Sequence, residues 1–250
     1  MKKILFALSL VAAGAAAQTD NRQQYEPVPE KVTGAIDGAA PSDAIVLFDG
    51  RNMDAWITAE AEQPARWEIN NGAMTVRRGM GTIKTRQRFG DIQLHLEWRP
   101  TDVIEGEGQS RGNSGVFLHS IFEVQILDSW ENPTYVNGQA GSVYLQYPPL
   151  VNAARQPGQW QTYDIIFEAP EYDASGNLTE PAYLTVLHNG VLVQNHVELE
   201  GATYTPVPEY GASCVPYSQE RVQDCSGKMP ITLQDHGQVV SYRNIWVREL

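Results

Sequence analysis

The sequence predicts an all-β protein, a sandwich or jelly roll of short antiparallel strands. Three observations carry this prediction. "DIQLHLEWRP" alternates strictly, with Leu94, Leu96 and Trp98 on one side and His95, Glu97 and Arg99 on the other. Asn-Gly pairs stand between strand-like runs in "EINNGAMTV" and "LHNGVLV", which is hairpin chemistry. No segment keeps a helical period of apolar residues over three turns.

The elements follow in chain order. Lys2 and Lys3 precede the apolar run "ILFALSLVAAGAA", and small residues then end in "AAAQ". This reads as a signal peptide over residues 1–17, cleaved after Ala17, so the mature chain is expected to be exported to a periplasm or outside the cell. Residues 18–44, polar and rich in Pro, Gly and Ala, read as an extended leader. The folded domain is expected over 45–250, opening with "IVLFDG" and continuing through "QTYDIIFEAP", "AYLTVLHNGVLVQNHVEL" and "VSYRNIWVREL". Two stretches break the strand rhythm, 128–159 and 204–228, and long loops on a β-scaffold are where binding is usually placed. The second holds both cysteines, Cys214 and Cys225. In an exported chain they are expected to pair, and closing so short a loop contributes about 3 kcal/mol.

Composition excludes some partners. The chain has 250 residues, 42% of them hydrophobic, and a net charge of -12 that becomes -14 once Lys2 and Lys3 are removed. Like charges repel, so nucleic acid and anionic membrane surfaces are poor partners, while a neutral sugar remains open. Beyond the first residues no apolar run is long enough to span a bilayer.

The polar residues on strands are the candidates for chemistry. Glu123 and Gln125 in "FEVQILDSW" point to one face, and Asp128 would join them only across a bulge. The spacing E-x-Q-x-x-D resembles the E-x-D-x-x-E strand of laminarinase-like glycosidases, but the middle acid is an amide. A solvated strand face is the plain alternative. His95, Glu97 and Arg99 form either a surface ion-pair row or a carboxylate base with a cationic partner. Asp235 and His236 in "ITLQDHG" are adjacent and so poorly placed to act as a relay; Gln234 shares the face of His236. Trp130 and Tyr135, in the long loop, are candidates for stacking on a sugar. No phosphate loop, nucleophile elbow or Cys/His metal set is present.

Several segments in this order, "VLFDGRNMDAW", "GTIKTRQRFGDIQLHLEWR", "GNSGVFLH", "FEVQILDS", "GQAGSVY" and "ITLQDHGQVVSYRNIWVREL", resemble the 3-keto-disaccharide hydrolase family. The resemblance spans about residues 45–250 and implies a concanavalin A-like, laminarinase-like jelly-roll sandwich of two antiparallel sheets. It also implies cleavage of glycosides already oxidised at C3. A C3 ketone acidifies the C2 proton, so a base, an enolate stabiliser and an acid for the leaving oxygen suffice. On this reading Glu123, His236 and Glu97 are the candidate acids and bases. Arg99, Asn113 and Gln125 are candidate donors to an oxyanion or hydroxyls; Asp235 and Arg243 bind hydroxyls or orient neighbours; Asp128, Trp130 and Tyr135 shape the sugar site. The partner is a carbohydrate. No cofactor is required, and a divalent metal acting as Lewis acid stays open. Two other classes compete: a retaining glycoside hydrolase with paired carboxylates, and a non-catalytic carbohydrate-binding module.

Overall fold

A computed structural model describes residues 24–34, 38–76, 78–203, 205–210 and 227–250. The expected signal peptide, Cys214 and Cys225 lie outside the described residues. Residues Thr33–Leu250 form one compact unit.

Fifteen strands are described in that unit: β1 (Ile45–Phe48), β2 (Trp56–Thr58), β3 (Glu68–Asn70), β4 (Ala73–Thr75), β5 (Ile83–Thr85), β6 (Ile92–Pro100), β7 (Ser114–Leu118), β8 (Phe122–Ile126), β9 (Gln161–Glu168), β10 (Glu171–Tyr172), β11 (Leu178–Glu180), β12 (Tyr183–His188), β13 (Val191–Glu198), β14 (Thr232–Leu233) and β15 (Val240–Glu249). They form a jelly-roll sandwich of antiparallel sheets. The larger sheet has the order β13-β12-β9-β6-β15-β4-β3, with β1 also on β15; the smaller has the order β2-β5-β14-β7-β8. β10 and β11 make a separate ribbon. Among the described residues no helix is long and apolar enough to cross a membrane.

Local chemistry explains the hairpins. Asn71 (φ 50°) and Gly72 (φ 74°) join β3 to β4, and Asn189 (φ 53°) and Gly190 (φ 77°) join β12 to β13. Both turns need left-handed backbone twice in succession, which Asn-Gly supplies at least strain. Alternation then fills the space between the sheets. Ile92, Leu94, Leu96 and Trp98 of β6 and Tyr163, Ile165 and Phe167 of β9 are buried from the larger sheet; Val116, Leu118, Phe122, Val124 and Ile126 are buried from the smaller. Each large side chain removed from water stabilises by roughly 1.5–3 kcal/mol.

Three polar ties cross this apolar layer or close its edge. The Tyr163 hydroxyl donates to Gln125 O (2.7 Å), and the Ser114 and Tyr242 hydroxyls meet at 2.6 Å. At the exit of β8, Arg111 Nε donates to Asp128 Oδ2 (2.7 Å) and Nη2 donates to Trp130 O (2.8 Å), while Asp128 N donates to Arg111 O (3.1 Å). Both side chains of this ion pair are buried. It fixes the start of the long loop against the start of β7. Replacing Arg111 by Met strands a buried carboxylate and is expected to lower stability by about 3–5 kcal/mol, read from urea midpoints. A midpoint unchanged from wild type would show that the clamp is idle.

Candidate active site

The outer face of the smaller sheet carries a cavity of about 860 Å³. The strand pairing orders its floor into two rows. Lys84 of β5, Thr232 of β14, Phe117 of β7 and Glu123 of β8 are successive cross-strand partners. Beside them, Gln234 N donates to Gly115 O, and Gly115 pairs with Gln125. Neighbouring strands lie about 4.8 Å apart, so Lys84 and Glu123 stand about 14 Å apart along the sheet, with room between them for a sugar ring.

Glu123 is the most perturbed group in this cavity. Its residue is only 4% exposed, and burial pushes its carboxyl up to about 8. At neutral pH the proton is mostly retained. The carboxyl lies directly over Gly115; a Cβ there would collide with Glu123 Oε1 and the Phe117 ring. The glycine in "NSGVF" is therefore a seat for the acid.

Gln125 lies beside it. Its amide satisfies its neighbours with the nitrogen turned toward the acid, where it donates to Ser114 O at 3.0 Å and to Glu123 Oε1 at 3.1 Å. Ser114 O can only accept, so this sense holds whether or not Glu123 keeps its proton.

Two further amides and a ring complete the wall. Asn113 Nδ2 donates to Gln109 O (2.9 Å), which orients it at the cavity edge. Gln234 Oε1 is buried without a hydrogen-bond partner among the described residues, an acceptor positioned for a ligand hydroxyl. His236 lines the cavity, is exposed, and has no hydrogen-bond partner among the described residues. Asp235 serves the backbone: Oδ2 accepts from Gly79 N and Gly81 N (both 3.0 Å) and Oδ1 from Gly237 N (2.9 Å), which holds the turn that presents His236. Lys84 pairs with Glu62 at 2.9 Å and is only 12% exposed in its side chain.

The structure brings together Asn113, Glu123, Gln125 and His236, with Asp235 behind His236, and places Glu97, Arg99, Arg243, Asp128 and Trp130 elsewhere. Glu97, Arg99 and Arg243 lie on the outer face of the larger sheet, where Arg243 pairs with Glu97 at 2.6 Å. They share a strand face, but it belongs to the other sheet. Asp128 does not join Glu123 and Gln125: the strand ends at Ile126, and the carboxylate turns in to Arg111. Trp130 is half-buried and does not line the cavity. Tyr135 reaches it at one remove, its hydroxyl 2.6 Å from that of the lining residue Tyr144. Lys84, Arg88 and Gln234 also line the cavity and were not among the site residues the sequence suggested. Gln234 was within reach, two residues from His236 on one face.

Among the described residues no three His, Cys, Asp or Glu side chains are grouped as a metal site would need.

The chain matches the family described as "3-keto-alpha-glucoside-1,2-lyase-like domain" over residues 43–248. It is similar to a solved candidate glycosyl hydrolase from Parabacteroides distasonis, at 43% identity and a TM-score of 0.83, covering 96% of this chain and 100% of that one. A second structure from the same organism, also of a candidate glycosyl hydrolase, shares the fold at 21% identity and a TM-score of 0.57, covering 83% of this chain and 99% of that one. No curated protein matches at a significant level. With the family pattern spanning the whole β-sandwich and the cavity on its smaller sheet, the chain belongs to the 3-keto-alpha-glucoside-1,2-lyase-like, or 3-keto-disaccharide hydrolase, family.

Proposed function

We propose that this protein cleaves the glycosidic bond of glycosides oxidised at C3, by removing the C2 proton, expelling the C1 substituent and adding water. The observation that carries the reading is the buried, proton-retaining Glu123 in the floor of a sugar-sized cavity. His236 takes the C2 proton. The electron pair moves into the C2–C3 bond and the ketone oxygen becomes an enolate. Lys84, Arg88 and the amides of Gln125 and Gln234 are among the donors lining the cavity that could serve that oxygen and the hydroxyls. The enolate then collapses, the C1–O bond breaks, and Glu123 gives its proton to the departing oxygen. Water adds to C1 of the resulting enone and a proton returns to C2, so the net change is hydrolysis.

A two-carboxylate mechanism has less support. The other acid lining the cavity among the described residues is Glu60, which follows β2. β2 and β8 are opposite edges of the five-stranded sheet, about 19 Å apart. Retention needs carboxyls about 5–5.5 Å apart. Residues 1–17 support export of the mature chain.

Purified protein is expected to cleave a C3-oxidised disaccharide and to leave the parent disaccharide intact; equal cleavage of both would favour the two-carboxylate mechanism. Glu123→Gln should lower kcat roughly 100- to 10,000-fold, the usual range for losing a general acid. It should still exchange the C2 hydrogen for solvent deuterium, whereas His236→Ala should not. Loss of exchange in both variants would reassign Glu123 to proton abstraction.

Activity is also expected to fall as pH rises through about 8, where Glu123 loses its proton. Stability should follow. A folded pKa raised from 4.5 to about 8 means the folded state binds the proton more tightly, so stability is full below 4.5 and declines as pH rises to about 8. Glu123→Gln removes that decline, and its melting temperature should exceed wild type most above pH 8. Equal melting temperatures there would show that the carboxyl is not buried at a cost.

A further inference from the structure

We infer a second ligand site on the opposite side of the sandwich, for a sugar that carries a carboxylate. It is a cavity of about 310 Å³ on the outer face of the larger sheet, separate from the Glu123 cavity. Arg99 and Arg243 project from neighbouring strands β6 and β15 onto one indole: their guanidinium carbons lie 4.6 Å and 4.1 Å from the Trp160 ring centroid. The two cations differ in a way that defines the ligand. Arg243 is neutralised by Glu97 at 2.6 Å. Arg99 is half-buried and has no carboxylate or hydrogen-bond acceptor among the described residues.

A guanidinium stacked on an aromatic face uses its π surface and leaves its N–H donors around the rim. Those donors form a planar fork that matches a carboxylate with two parallel hydrogen bonds. The rest of the wall is neutral and polar. Thr75 and Ser241 hydroxyls meet at 2.9 Å, each with further hydrogen-bonding capacity, and Asn70 adds an amide. That lining suits ring hydroxyls. The cavity is small for a polymer and sufficient for one sugar ring beside the indole edge. The chain as a whole carries a net charge of -12, so long-range attraction does not draw an anion here; the local fork must do it. The site is therefore expected to be selective and sensitive to salt.

The inference does not depend on the reading of the Glu123 cavity. Isothermal titration of the full chain with D-glucuronate, D-glucose and acetate at low salt tests it. Glucuronate should bind, and both glucose and acetate should bind about tenfold more weakly or less, because a hydrogen bond to a charged group contributes about 1.5 kcal/mol or more. Arg99→Met should lose about tenfold in glucuronate affinity, and Arg99→Lys, which keeps the charge without the fork, should also weaken it. Glu123→Gln should leave the affinity unchanged, which locates the binding away from the other cavity. Acetate binding as well as glucuronate would reduce the site to a bare anion contact and overturn the sugar assignment. Unchanged binding in both Arg99 variants, or no binding of glucuronate by the wild-type chain, would overturn the site.

Discussion

The constraint on which the site depends is the burial of one carboxyl, Glu123, on the face of a sheet that points away from the core. A lone acid in such a place is unfavourable when ionised, and burial alone, with no offset from a neighbouring cation among the described residues, sets its carboxyl. The surrounding structure is arranged so that the acid can stay there. Gly115 leaves the space it fills, and the Gln125 amide nitrogen reaches its carboxyl oxygen. From beneath, Tyr163 holds the backbone of Gln125 and Tyr242 holds Ser114, so the two strands that carry the acid and its seat are anchored to the larger sheet. The Arg111–Asp128 pair fixes the end of the same two strands. Stability is given up at Glu123 and recovered in these ties, a pattern expected where function needs an uncomfortable group held still.

The sequence made the strands legible because their signals are local. Asn71-Gly72 and Asn189-Gly190 dictate a turn type, and alternation in β6 and β9 dictates a face. It made part of the site legible for the same reason: Glu123 and Gln125 are two apart on one strand. Alternation says on which side of its own strand a residue lies. It does not say which sheet the strand joins, so Glu97, Arg99 and Arg243 were grouped with Glu123 although the whole sandwich separates them. Asp128 was unreadable for a different reason. Its position depends on where β8 stops, and the pull of a buried Arg111 seventeen residues earlier is invisible to periodicity. Lys84 comes from a strand of three residues, too short to announce a face, and becomes a neighbour of the cavity only through the pairing of β5 with β14.

The charge state of Glu123 also bears on which chemistry the cavity can serve. A carboxyl nucleophile must be ionised and near the anomeric carbon, and burial that holds the proton to about 8 works against the first requirement at neutral pH. The same burial favours an acid. A donor whose pKa lies near the working pH is both protonated and willing to give the proton to an oxygen that is becoming an alkoxide. On the proposed route, the carboxylate that remains once the bond has broken regains its proton from the water that adds to the enone. An elimination route needs that alternation between a neutral acid and a briefly held carboxylate. The neighbour of the buried Glu123 is the amide of Gln125, not the second carboxylate that a retaining displacement requires.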